Sequence, residues 1–164
     1  MNIVCYNLGM PHIHEKIDFT ASAFIIHDNK VLLRKHDKYD IGWLSVGGHI
    51  EPDEDPTEAV IREVREEVGL KIKLVGKHLS FMDRDEEKDL IPPRFLNRHR
   101  INATHEHVDM VYFATADADV ITQGDVERSE EIRWFSKEEL SDPHLKINER
   151  IRHYALTALE EVKH

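Results

Sequence analysis

Glu63, Glu66 and Glu67 stand at positions i, i+3 and i+4 within GGHIEPDEDPTEAVIREVREEVGL, the stretch from Gly47 to Leu70. On a helix that spacing puts three carboxylates on one face, where like charges repel by a few tenths of a kcal/mol per pair. A bound cation would offset the repulsion. Carboxylate oxygens suit hard divalent ions, and Mg²⁺ in particular is held by a few carboxylates together with water and substrate phosphates. Arg62 precedes the three acids and can orient a carboxylate through a forked hydrogen bond. The bare spacing is equally that of a solvated acidic helix face balanced by Arg62 and Arg65.

The elements that must position these groups are legible from local signals. Asp55-Pro56-Thr57-Glu58 starts a helix: Asp55 can cap, Pro56 fits the first turn and Glu58 completes a capping box. Val60, Ile61, Val64 and Val68 follow helical spacing and are expected to face the core, with the carboxylates beside it. Gly69 is a natural helix stop. Upstream, TASAFIIHDNKVLLRKHD reads as a hairpin turning at His27–Lys30, and IGWLSVGGHI as a short strand. Downstream, LKIKLVGKHLSFMD reads as strand. DRDEEKDLIPPRFLNRHRINATHEH reads mostly as a long loop, HVDMVYFATAD as an interior strand and EEIRWF as another strand. Ser136–Glu139 resembles a second capping box. Ile147, Ile151, Tyr154, Ala158 and Val162 mark an amphipathic C-terminal helix. This order predicts one mixed α/β domain over residues 1–164, with helices packed on a sheet.

From Gly48 onward the chain reads Gly, five residues, Glu54, seven residues, then Arg62-Glu63-Val64-Arg65-Glu66-Glu67-Val68-Gly69-Leu70. This resembles, at each defined position, the signature of the Nudix hydrolases, G-x5-E-x7-R-E-U-x-E-E-x-G-U with U a bulky aliphatic residue. One soft departure is Asp53, where many members carry glycine before the first motif glutamate. The resemblance implies an α/β/α sandwich with a mixed β-sheet, a loop–helix–loop motif and a C-terminal helix. It implies Mg²⁺- or Mn²⁺-dependent hydrolysis of a nucleoside diphosphate linked to another group. By position, Glu63, Glu66 and Glu67 would be metal ligands, Glu54 would support the ions or their water, and Arg62 would position the glutamates. A carbonyl at Gly47 or Gly48 would join the shell. The family also recruits an acid outside the motif, for which Glu127, Glu130 and Glu131 are candidates and Glu127 is preferred. A non-catalytic domain that senses a nucleotide is the competing reading, but such domains usually lose motif glutamates.

Arg94, Arg98 and Arg100 cluster in PPRFLNRHR and suit a phosphate-bearing substrate, as do His105 and His107 if they border its cleft. His105, His107 and Asp109 alternate and would share one face of a strand, so a second metal site there is conceivable; the family pattern does not require one. Trp43, Tyr112, Trp134 and Phe135 are expected in the core. A net charge of −10 argues against nucleic-acid polymers and anionic membranes as partners. Cys5 is the only cysteine, which excludes an intrachain disulfide. With no basic-then-apolar start and no long apolar run, a cytoplasmic enzyme is expected, acting on a small nucleotide and able to form a homodimer.

Overall fold

The computed structural model describes residues 13–36, 42–77, 88–123 and 128–162. In chain order these form β1 (Ile17–His27), β2 (Lys30–His36), β3 (Trp43–Leu44), β4 (Val46–His49), α1 (Pro56–Val68) and β5 (Ile72–Leu74). There follow β6 (Phe95–Arg100), β7 (Glu106–Ala116), β8 (Ser129–Phe135), α2 (Lys137–Leu140) and α3 (Glu149–Glu161). The strands make one mixed sheet. Long strands β1 and β7 run parallel at its centre, and every other pairing is antiparallel.

Strand side chains alternate between faces, and β1 uses both. Ala21, Ala23 and Ile25 pack in one cluster with Val60, Val64 and Val68 of α1. Phe24 and Ile26 pack in a second cluster with Val111, Phe113 and Ala155 and Ala158 of α3. The result is the α/β/α sandwich that the resemblance implied. The β1–β2 turn places Asp28 and Asn29 at φ 45° and 57°, the left-handed pair that a tight hairpin needs. No helix among the described residues is long and apolar enough to cross a membrane.

The motif helix starts and stops where its local signals put it. The Asp55 carboxylate accepts from the Thr57 and Glu58 N–H groups, Glu58 reaches back to the Asp55 N–H, and Gly69 closes the helix at φ 71°. Burial pushes the Asp55 carboxyl upward. It is outweighed by the Lys88 ammonium, the Thr57 hydroxyl and the two backbone donors, which bring the group down to about 2. Because the folded-state value lies below the ordinary one, Asp55 stabilises the fold above about pH 4, and this contribution is lost as pH falls toward 2. Asp55→Ala should therefore cost about 1–2 kcal/mol at pH 7. The gap from wild type should close in urea melts below about pH 2.5.

Four expectations need correction. Ile61 does not face the core; it is 44% exposed. The buried stripe is Ala59, Val60, Val64, Glu67 and Val68. At 100° per residue Glu67 lies only about 20° around the helix from Val60, so it falls on the core side. The stretch after Asp83 is not mostly loop, because Phe95–Arg100 forms β6 along β7. IGWLSVGGHI forms two short strands with different partners, β3 on β2 and β4 on β1. Strand after Leu70 is confined, among described residues, to Ile72–Leu74, and 78–87 lie outside them.

Candidate functional site

The site is built where β4 meets α1. Gly48 lies against Glu63 so closely that a Cβ there would come within 2.6 Å of the Glu63 carboxyl carbon and Oε1. Gly47, at φ 149°, is pressed against β1, where a Cβ would sit 2.3 Å from the Ala21 carbonyl oxygen. Gly47 is thus required by space and by its backbone conformation, whereas a Cβ at Gly48 would displace the Glu63 carboxylate.

Arg62 organises the acids. Its Nε and Nη2 donate to the two Glu54 oxygens at 2.9 and 2.6 Å, a fork-to-fork pair. Nη1 donates to Glu63 Oε1 at 2.9 Å and to Glu66 Oε2 at 3.1 Å, and Nη2 also reaches the His49 carbonyl at 3.0 Å. The guanidinium hydrogen bonds are the main cause that holds the Glu54 carboxyl below its usual range. Glu67 approaches from the core side. One of its oxygens accepts the Gly47 N–H at 3.0 Å, and the other is ion-paired with Arg34 of β2. Arg34 in turn donates to Ser129 at 3.3 Å. Glu63 and Glu67 therefore meet the glycine pair, and Glu54 and Glu66 are tied to Glu63 through Arg62, Glu66 largely exposed and Glu67 buried.

A cavity of about 300 Å³ opens beside the motif loop, walled by Phe19, Ile50, Pro52, Pro56 and Met110. Arg98 shares a cross-strand row with Val108 and Phe19 and thus the cavity's side of the sheet; it is exposed and paired with Glu106. Arg94 instead forks onto Glu161 of α3 at 2.7 and 2.6 Å, and Arg100 is exposed at the end of β6. Glu127 lies outside the described residues; Glu130 is exposed, and Glu131 is tied to Lys35 at 3.0 Å.

His105 and His107 are buried with Asp18 on the other side of the sheet, the side that carries α3, and the half-buried His49 lies beside Asp18. Asp109 stands beside them but is held by the Thr20 and Ser22 hydroxyls at 3.1 and 2.9 Å. Burial, reinforced by the imidazoles of His49, His99 and His105, brings His107 down to about 3. Arg34, Asp18 and His49 escaped sequence reasoning. The signal for Arg34 was a lone arginine closing the apolar run Val31-Leu32-Leu33.

The NUDIX domain family profile matches residues 17–158 of the chain. The fold is similar to that of a Nudix-family hydrolase from Clostridium perfringens, with a TM-score of 0.76 and 37% identity, covering 87% of this chain and 96% of that one. It is also similar to a MutT NUDIX hydrolase from Burkholderia pseudomallei, with a TM-score of 0.61 and 26% identity, covering 91% of this chain and 100% of that one. Among curated proteins, diphosphoinositol polyphosphate phosphohydrolase 3-alpha of Mus musculus is 38% identical over 61 residues. That stretch is 37% of this chain and 37% of the mouse protein.

Proposed function

The chain belongs to the Nudix hydrolase family, and from that premise we propose that it hydrolyses the diphosphate linkage of a small nucleoside diphosphate derivative with water, using Mg²⁺ or Mn²⁺. The substrate class is that of nucleoside triphosphates, nucleotide sugars and ADP-ribose. The observation that supports this reading is Glu63 and Glu67 set against Gly48 and Gly47, with Arg62 gathering Glu54, Glu63 and Glu66 beside them.

The donor set fits a hard divalent ion: its atoms are oxygens, and the missing Cβ at Gly48 leaves the Glu63 carboxylate in reach of that strand's backbone. Glu63, Glu66, Glu67 and the Gly48 carbonyl would hold the ion. When bound, such an ion neutralises phosphate charge and acidifies the attacking water. Arg62 keeps the glutamates on one side of the strand. It also keeps Glu54 ionised near neutrality, so Glu54 accepts hydrogen bonds rather than delivering a proton. In the reaction a water oxygen bonds to phosphorus while the bridging P–O bond breaks. The products are a nucleoside monophosphate and a second phosphate-bearing fragment.

The apolar cavity favours a nucleoside over a highly charged sugar. Phe19, Ile50 and Met110 offer a face for a flat base, whereas an inositol polyphosphate needs a basic cradle that a chain of net charge −10 is poorly suited to supply. The test is product analysis over nucleoside triphosphates, nucleotide sugars, ADP-ribose and a diphosphoinositol polyphosphate, with Mg²⁺ or Mn²⁺ and a chelated control. Metal-dependent release of a nucleoside monophosphate from one nucleotide class is expected. Turnover of the inositol substrate alone would overturn the substrate class; tight nucleotide binding without turnover would mean a sensor.

A further inference from the structure

We propose that Asp18, His105 and His107 form a buried three-ligand site for one transition-metal ion of the zinc class, a water completing the shell, on the opposite side of the sheet from the motif helix. Asp18, His105 and His107 are 0%, 3% and 6% exposed, and each offers a ligand atom within 4.8 Å of the others. The sheet register brings them together. Parallel pairing sets Asp18 beside His107, and antiparallel pairing sets His49 beside Thr20, on the face opposite Ala21 and Gly48.

The spacings suit a metal. Asp18 Oδ2 is 3.4 Å from His105 Nε2, while His49 Nε2 stands 3.3 Å from the same oxygen as an outer neighbour. Ligands about 2.0–2.1 Å from a tetrahedral zinc ion lie about 3.3–3.4 Å apart. The outer contacts fit too. Asp18 is fixed by the His14 N–H at 2.6 Å and the Ile13 N–H at 3.2 Å. His105 Nδ1 lies 3.4 Å from the Glu15 carbonyl oxygen, and donation to that oxygen turns the Nε2 lone pair inward. Ligating histidines commonly carry such an outer partner on the second ring nitrogen. Imidazoles with one carboxylate select zinc, cobalt or nickel over magnesium, so this site and the all-oxygen motif site would take different ions. An ion here would tie the start of β1 to the start of β7 and fix Asp18, the carboxylate beside His49. That role is structural and does not depend on the proposed hydrolysis.

Cobalt(II) alone is the probe. Full-length protein stripped with a chelator should bind one equivalent, with the intense visible d–d bands of a tetrahedral ion. Zinc at about a hundred times its dissociation constant should raise Tm by roughly 5–10 °C. His105→Gln and His107→Gln should each weaken cobalt binding by about tenfold or more and remove the bands. The Glu63→Gln/Glu66→Gln variant should keep them. If the histidine variants do not fold, the wild-type cobalt spectrum and its loss on adding one equivalent of zinc decide. The proposal fails if no stoichiometric tetrahedral cobalt appears, or if the glutamate variant rather than the histidine variants removes it; a hydrogen-bonded imidazole–carboxylate cluster would then be all that is present.

Discussion

Glu66→Gln should lower kcat by about 10²–10³-fold if Glu66 holds the proposed ion, since losing such a ligand from a charge-stabilising site costs about that much. The fold should not notice. The Glu66 side chain is 60% exposed, and its contact with Arg62 is a surface pair between residues one helical turn apart. Such pairs contribute about 0.5 kcal/mol or less. Tm should stay within about 2 °C of wild type. Arg62 keeps Glu54 and Glu63 as partners in the variant, so the remaining acids stay gathered. Measured turnover within threefold of wild type would remove Glu66 from the chemistry and with it the metal-assisted mechanism.

The largest structural effect should come from Arg34→Met. Glu67 is buried beside Arg34, and both side chains are nearly inaccessible. Removing one member of a buried ion pair strands the other charge in a poorly solvated place, at a cost of about 3–5 kcal/mol. For a chain of this size that lowers Tm by roughly 6–20 °C. The double variant Arg34→Met/Glu67→Gln should recover at least half of the loss, since the amide oxygen can still accept the Gly47 N–H while no charge is left buried. A fall in Tm of under 3 °C for the single variant would mean that water reaches Glu67 and that the pair is not buried in solution.

The two variants separate what was readable in the chain from what was not. The start and end of α1 were legible because Asp55, Pro56, Glu58 and Gly69 act within a turn of themselves. The spacing of Glu63, Glu66 and Glu67 was legible for the same reason. Which acid turns inward was not. Helical phase puts Glu67 near Val60, but a carboxylate stays on that side only if a cation meets it, and Arg34 arrives from β2, far away in sequence. Strand β6 was hidden because its inward residues alternate as Phe95, Asn97 and His99, so no apolar period of two announces it. The imidazole cluster was half visible. Alternation sets His105, His107 and Asp109 on one face, but the parallel register adds Asp18, far away in sequence, as the carboxylate against His105. Only strand order decides that, and strand order leaves no local trace.

Strand β1 presents Ala21 toward the glutamates while Thr20, its immediate neighbour, points toward the imidazoles. One pleated ribbon is therefore the party wall of two polar rooms. Dropping or adding a single residue within it would swap their furnishings wholesale, since each side chain would exchange faces. Evolution can lengthen the surface loops at little cost, but it can edit this segment only in steps of two.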